Sequence, residues 1–246
     1  MGIILDIVIL LVFLLYIVKC YRQPQLRGGL ETVAYMVALA MAVPISNIAS
    51  NLAYVKLFRG AIAHNLDKVV EETRMVSGIH VSNLGRVLDT MPTTVQNAAE
   101  SYQILTEDNI AAVDKLMTSN TPDAAEQIVD IIARPVIEGI FRSVLCVLLF
   151  CGLLYLMKSL AAVFENALYS PERAAQNTVL CAVFGCFKAL VVITLAVSVI
   201  QLLLPALPSM PLLNAEVLGN SFLFKLFYHQ NILMLFLGQD IYPMTM

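Results

Sequence analysis

Charge is scarce in this sequence. Only 13% of its 246 residues are charged, whereas 59% are hydrophobic. A soluble domain carries about 25% charged residues, so composition alone excludes an ordinary soluble protein and points to a membrane protein. Trp is absent, so any interfacial aromatic belt must be built from Tyr and Phe. A net charge of -3 without a concentrated basic face excludes nucleic acid as a partner. The histidines are few: His64, His80 and His229. None has a Cys or a paired carboxylate beside it at metal-ligand spacing, so neither a metal centre nor a hydrolytic triad is expected. The Gly patterns that cradle phosphates are missing, and Arg27-Gly28-Gly29 does not supply one. The expectation is a non-enzyme with no catalytic residues, no metal and no cofactor.

Cysteine is confined to apolar stretches. Cys20, Cys146, Cys151, Cys181 and Cys186 lie in or beside them, and the polar middle of the chain has none. A disulfide framework is therefore not expected. Within the pairs Cys146/Cys151 and Cys181/Cys186 the members stand five apart, about 500° around a helix, so they point different ways and read as small packing residues.

What the sequence does have is long apolar runs. Ile3 to Val18 is broken once, by Asp6. Positive charge follows this run rather than preceding it, which reads as a retained membrane helix and not a cleaved signal. Lys19 to Glu31 then holds three basic residues and one acid, so this loop, with Arg22, Arg27, Gly28 and Glu31, is expected to be cytoplasmic and the N-terminus outside. A second span from about 32 to 48 repeats small residues at Ala34, Ala38 and Ala42, the spacing that lets helices approach closely. Pro44 is expected to kink or end it, with Ser46 and Asn47 helping to satisfy the freed carbonyls.

From Lys56 to Arg134 the composition turns polar, with seven basic residues and eleven acids. Acidity of this kind fits the outer side of a membrane. Apolar residues recur at helical spacing: Ile62, Leu66, Val69 and Val70; Val81, Leu84, Val87 and Leu88; Ile110, Val113, Leu116 and Met117; Ile128, Ile131 and Ile132. Ser77-Gly78 and Met91-Pro92 read as breaks, and Thr121-Pro122-Asp123 as a helix start. The expectation is an outer cap of short amphipathic helices, able to fold apart from the membrane helices and to meet a protein partner.

The third span is expected over Phe141 to Met157, with Arg142 and Lys158 reaching opposite interfaces. Ser159 to Tyr169 would lie on the cytoplasmic surface, and Ser170-Pro171-Glu172 would cap a new helix. The fourth span, Thr178 to Leu204, carries one full charge, Lys188, about 15 Å from its start. Cys181, Gly185 and Ala189 stand four apart around it. A lysine there needs a partner, a wet cavity or an exit by snorkelling, and Asp6, about 21 Å above the inner end of the first helix, is the expected partner. Beyond the Pro-rich stretch Pro205, Pro208 and Pro211, Phe222 to Leu237 contains Lys225, His229 and Gln230, and reads as an interfacial or re-entrant segment.

The fold class expected is all-α: four transmembrane helices with an inserted helical extracytoplasmic domain. Its divisions are 1–55, 56–135, 136–204 and 205–246, with both termini outside. In the fourth span, Val179-Leu180 followed by Phe184-Gly185 and Lys188 resembles the colicin V production protein family, whose matching helix carries a G-x-x-x-G-x-x-(K/R)-G type motif. Asp6 at the start of the first helix and the loop residues Arg27, Gly28 and Glu31 are similar to that family too. The resemblance covers about residues 3–55 and 140–204. Cys181 and Ala189 stand where the family often has Gly, Asn177-Thr178 replaces a common Asp-Arg, and the segment 56–134 is much longer than usual. The resemblance implies a multi-pass protein of the bacterial inner membrane, associated with toxin export and envelope integrity, with no established reaction. Two functions stay open: a scaffold or export accessory in the bilayer, or a small transporter or channel component. The second would use Lys188 and Asp6 in a polar path, with a homo-oligomer needed to form a lumen.

Overall fold

A computed structural model of the chain describes residues 2–75, 83–101, 104–118, 123–168, 178–203, 218 and 220–230. The elements in order are α1 (Gly2–Tyr21), α2 (Gln25–Ala53), a π-helical turn (Tyr54–Arg59) and α3 (Gly60–Met75). They continue with α4 (Asn83–Asp89), α5 (Thr93–Ser101), α6 (Glu107–Thr118), α7 (Ala124–Leu168), α8 (Thr178–Leu203) and α9 (Phe222–His229). Among the described residues there is no strand. Four helical stretches are long and apolar enough to cross a membrane, beginning at Gly2, Gln25, Ala124 and Val179.

α1 is a run of Ile, Leu and Val ended by Pro24, which also stands immediately before α2 in an extended conformation. α2 packs along α7 and α1 along α8, while α8 also touches α2. Two of these helices are far longer than a bilayer requires. α7 has 45 residues, about 68 Å, and α2 runs through the π turn into α3 without a break. A hydrocarbon core is about 30 Å thick, so both rods project well past the other helices, and α4, α5 and α6 pack on the projections. Leu66, Val87, Val113, Met117, Ile128 and Ile132, members of the apolar sets of the middle segment, meet there in a buried core.

Three expectations need correction. Pro44 does not end the second span: it sits inside α2, which continues to Ala53. Packing along α7 holds the helix on both sides of the proline, and the buried hydroxyls Ser46 and Ser50 donate to the carbonyls of Val43 and Asn47, at 2.8 and 3.0 Å. Residues 159–168 are not a separate surface helix but the last turns of α7. Nor is the cap a unit apart. Its expected limits, 56 and 135, fall inside the π turn and inside α7, and one apolar core runs from Tyr35, Ala38 and Ala42 through Tyr54 to Val87 and Met117. The break expected at 77–78, the helix starts expected at 121–122 and 170–172, and the Pro-rich stretch 205–211 lie outside the described residues.

The surface divides the molecule in two. Large apolar side chains are exposed all along the bundle, among them Ile3, Leu14, Ile48, Leu148, Tyr155, Val163 and Val183. From Phe58 to Ser143 none is exposed among the residues whose side chains are described. A soluble surface rarely carries apolar patches beyond a few hundred Å²; here a whole belt is apolar and the cap is not. Within each cysteine pair of the bundle one member is buried and one exposed, Cys146 and Cys181 against Cys151 and Cys186, and all of them are free thiols.

Candidate functional site

The small residues of α8 decide where Lys188 lies. A Cβ on Gly185 would stand 2.7 Å from the Cα of Ile17 and 3.0 Å from the carbonyl oxygen of Tyr16, so α8 lies directly against the backbone of α1. Cys181 and Ala189, one turn to either side, are fully buried. Gly28 and Gly29 of α2 serve the same end: a Cβ on either would meet the ring of Phe184 at 3.6 Å. Three helices therefore converge around Lys188, which is 3% exposed.

Its partner is Glu31. Lys188 Nζ lies 3.0 Å from Glu31 Oε2, and the other carboxylate oxygen accepts from Arg27 Nε at 3.3 Å and Gln23 Nε2 at 3.2 Å. Arg27 also reaches Glu165 of α7 at 3.8 Å. Lys188 is 4.0 Å from Cys20 Sγ. A buried carboxylate is tolerated when its lone pairs are engaged, and Glu31 has donors from three side chains. One turn along α2, Tyr35 donates to Tyr16 Oη at 3.4 Å, and Lys158 donates to Tyr35 Oη at 3.4 Å while standing 4.9 Å from its ring centre. Tyr16, Lys19, Cys20, Gln23, Glu31, Tyr35 and Lys188 enclose a cavity of about 10 Å³. That is space for about one water and for no larger ligand.

Asp6 is not the partner of Lys188. The Lys188 ammonium lies 4.0 Å from Cys20 Sγ, and the fourteen residues of α1 from Asp6 to Cys20 rise about 21 Å. Gly185 of α8 lies against Ile17, so the Lys188 side chain reaches back past that contact toward the inner end of α1, away from Asp6, to meet Glu31. Asp6 serves the other end of the bundle, where it accepts from Ser221 Oγ at 2.6 Å and from the backbone N–H of Leu223 at 2.8 Å. A carboxylate beside the first turn of α9 completes the cap that Ser221 makes by accepting from the N–H of Phe224 at 3.1 Å. α9, eight residues long, is then pinned to α8 by Gln201, whose side-chain amide donates to the Tyr228 carbonyl at 3.0 Å. Residues 231–237 of the expected C-terminal segment lie outside the described residues.

Sequence reasoning missed a second charged cluster at the cap end. Tyr54 is 1% exposed and donates to Asp130 Oδ1 at 2.8 Å. Arg59 reaches both oxygens of Asp130, at 3.1 and 2.8 Å, and Glu126 at 3.0 Å. Tyr54 and Arg59 are five apart, so an ordinary α-helix would turn them about 140° away from each other. The π turn, with its i→i+5 bonding, brings both toward α7. Glu126, Asp130, Arg134, Glu138 and Arg142 stand four apart along α7, and Glu138 pairs with Arg134 at 3.0 Å and Arg142 at 3.8 Å. That spacing was the available signal; nothing in the sequence marked the π turn. Between the two charged clusters Ala38, Ala42, Cys146 and Phe150 are buried, and Met36, Leu39, Ala40, Val43, Pro44, Asn47, Phe187 and Val191 line an apolar cavity of about 620 Å³. Among the described residues no group of three His, Cys, Asp or Glu is placed to hold a metal.

Comparison with known proteins adds no relative: no family model matches the chain, and no curated protein or solved structure is significantly similar to it.

Proposed function

We propose that this chain is a non-enzymatic, multi-pass protein of the bacterial inner membrane, acting as a scaffold or accessory in toxin export or envelope maintenance, as the resemblance to colicin V production proteins implies. In this reading α1, α2, α7 and α8 cross the bilayer. The α1–α2 turn faces the cytoplasm, and both termini and the cap face outward, where the cap meets a protein partner. The exposed apolar belt supports the crossing, and its absence from the cap supports a cap in water.

The observation that carries the reading is the closed pair of Glu31 and Lys188. The two stretches on which the resemblance rests, Arg27 to Glu31 and Phe184 to Lys188, meet there, with Gly28 and Gly29 against Phe184. A carrier needs a site that admits its cargo. This one leaves space for about one water, and Asp6 stands about 21 Å along α1 from it. A buried pair in this setting acts as a lock that fixes which helices associate and in what register, the best-attested use of such pairs.

Exchanging the charges tests it. E31K and K188E are each expected to lower the amount of folded protein and to weaken the envelope of cells that depend on the chain, and the double exchange is expected to recover both. Recovery of folded protein without recovery of envelope function would favour a transport role for these charges.

A further inference from the structure

We propose that the turn end of the bundle carries a binding site for the phosphate of an anionic phospholipid, formed by Lys19 and Lys158 over the paired rings of Tyr16 and Tyr35. The proposal rests on the bilayer reading above and adds to it a headgroup preference.

Positive charge is left over at this end of the bundle. Around the Glu31 cluster stand four cations, Lys19, Arg27, Lys158 and Lys188, and two carboxylates, Glu31 and Glu165. Glu31 is taken by Lys188, Arg27 and Gln23, and Glu165 faces Arg27. Among the described residues no carboxylate pairs with Lys19 or Lys158. Lys158 is nevertheless half-buried and held in place, its ammonium 3.4 Å from Tyr35 Oη and 4.9 Å from the ring centre. Lys19 is exposed and lines the mouth of the small cavity that Tyr16 and Tyr35 also line. The Glu31 carboxylate, already engaged by Lys188, Arg27 and Gln23, also acts on the Lys158 ammonium, and the charges of Lys19 and Lys188 act against it. Like charges gathered this closely repel one another, and an anion between them relieves the repulsion.

The surroundings choose the source of that anion. Tyr155 and Leu156, within one turn of Lys158 on α7, are 74% and 57% exposed and belong to the apolar belt. A phosphate bound here therefore has its own acyl chains lying against that belt, whereas a free phosphate leaves these side chains uncovered. Basic pockets between membrane helices at the cytoplasmic end are a recurrent way of holding anionic headgroups.

The experiment uses the full chain in nanodiscs of phosphatidylcholine, alone or mixed with phosphatidylglycerol, followed by release and native mass spectrometry. Wild-type protein is expected to retain phosphatidylglycerol in preference to phosphatidylcholine. K19Q and K158Q are each expected to reduce that retention about fivefold, while melting as the wild type does in phosphatidylcholine. K225Q, which changes an exposed lysine of α9 at the other end of the bundle, is expected to retain lipid as the wild type does. Unchanged retention in both K19Q and K158Q overturns the site. Displacement of the lipid by inorganic phosphate at matched concentration reassigns it to free anions and overturns the lipid source. Failure of the protein to enter discs of either composition overturns the bilayer reading itself, an outcome distinct from loss of headgroup preference.

Discussion

The two ends of the bundle hold the same chemistry under different conditions. At the turn end, Lys188 and Glu31 pair with side chains 4% and 11% exposed. At the cap end, Arg59 and Asp130 pair at a shorter distance, 2.8 Å, but with side chains 33% and 28% exposed. Distance ranks the second pair higher; energetics reverses the order. A partly solvated pair gains little over two hydrated ions, about 0–1 kcal/mol. A buried pair gains little over a well-packed apolar pair either, but it cannot be half removed, because the stranded charge has no water to return to. What separates the ends is therefore how each responds to damage.

The largest expected effect follows. Lys188→Met leaves Glu31 facing Arg27 and Gln23 only, and Glu31→Gln leaves a buried ammonium without a countercharge. Glu31→Gln is expected to destabilise the fold by about 3–5 kcal/mol and Lys188→Met by less, since Arg27 still pairs with Glu31, with the double change near the wild type. Reversible unfolding in detergent, read as a double-mutant cycle, measures the coupling. Additive losses would break the comparison, because they would mean that the pair is no more than two separate contacts.

Gly185 sharpens the same end. Its missing Cβ is what lets α8 reach the backbone of α1, and the atoms in the way, Ile17 Cα and the Tyr16 carbonyl, cannot swing aside. Gly185→Ala is expected to cost about 1–3 kcal/mol through overpacking. Gly152 of α7, whose added Cβ would meet nothing within 4 Å, is the control, and Gly152→Ala is expected to leave the melting temperature unchanged or raise it.

How much of this was legible beforehand differs by element. The apolar runs and the polar middle segment were plain in composition, and the small residues at 181, 185 and 189 marked a close helix contact before any partner was known. Glu31 was visible only as the acid that ends a basic loop. α2 begins at Gln25, so Glu31 is already in its second turn, and no periodicity argument locates a helix start inside Gln-Leu-Arg-Gly-Gly. Lys188 was given the wrong partner because depth was counted from the start of α8, while the contact that fixes its level, Gly185 against Ile17, belongs to tertiary structure. Pro44 was expected to kink or end its helix, yet it lies inside α2, which is held along its length by α7. The local rule overstated it because the competing term, packing between α2 and α7, is not local.

Asp6 gives a smaller effect of a different kind. Asp6→Ala removes the acceptor that Ser221 and the first N–H groups of α9 use, which is expected to cost about 1–2 kcal/mol, felt locally. Hydrogen exchange at Phe222 to His229 is expected to quicken, with the bundle amides unchanged. Combined with Lys188→Met the losses are expected to add, since about 21 Å of α1 separates the two sites. Coupling between them would restore the pairing that the sequence suggested.

The smallest expected effect is at Arg59. Arg59→Gln removes a fork that spans Asp130 and Glu126, but both carboxylates keep other support. Asp130 still accepts from Tyr54 at 2.8 Å, and Glu126 is 40% exposed and returns to water. The loss is expected to stay at or below about 1 kcal/mol. Because the Debye length shrinks from about 10 Å at 0.1 M salt to about 3 Å at 1 M, that loss is expected to fade in concentrated salt. The penalty of Lys188→Met is expected to persist there, because ions do not reach a pair packed between three helices. Melting curves of both variants at low and high salt therefore test the contrast between the two ends in one measurement. If the Arg59 loss matched the Lys188 loss and likewise ignored salt, burial would not be what distinguishes the clusters. The π turn that aims Tyr54 and Arg59 at Asp130 would then be as much a lock as the pair at the other end.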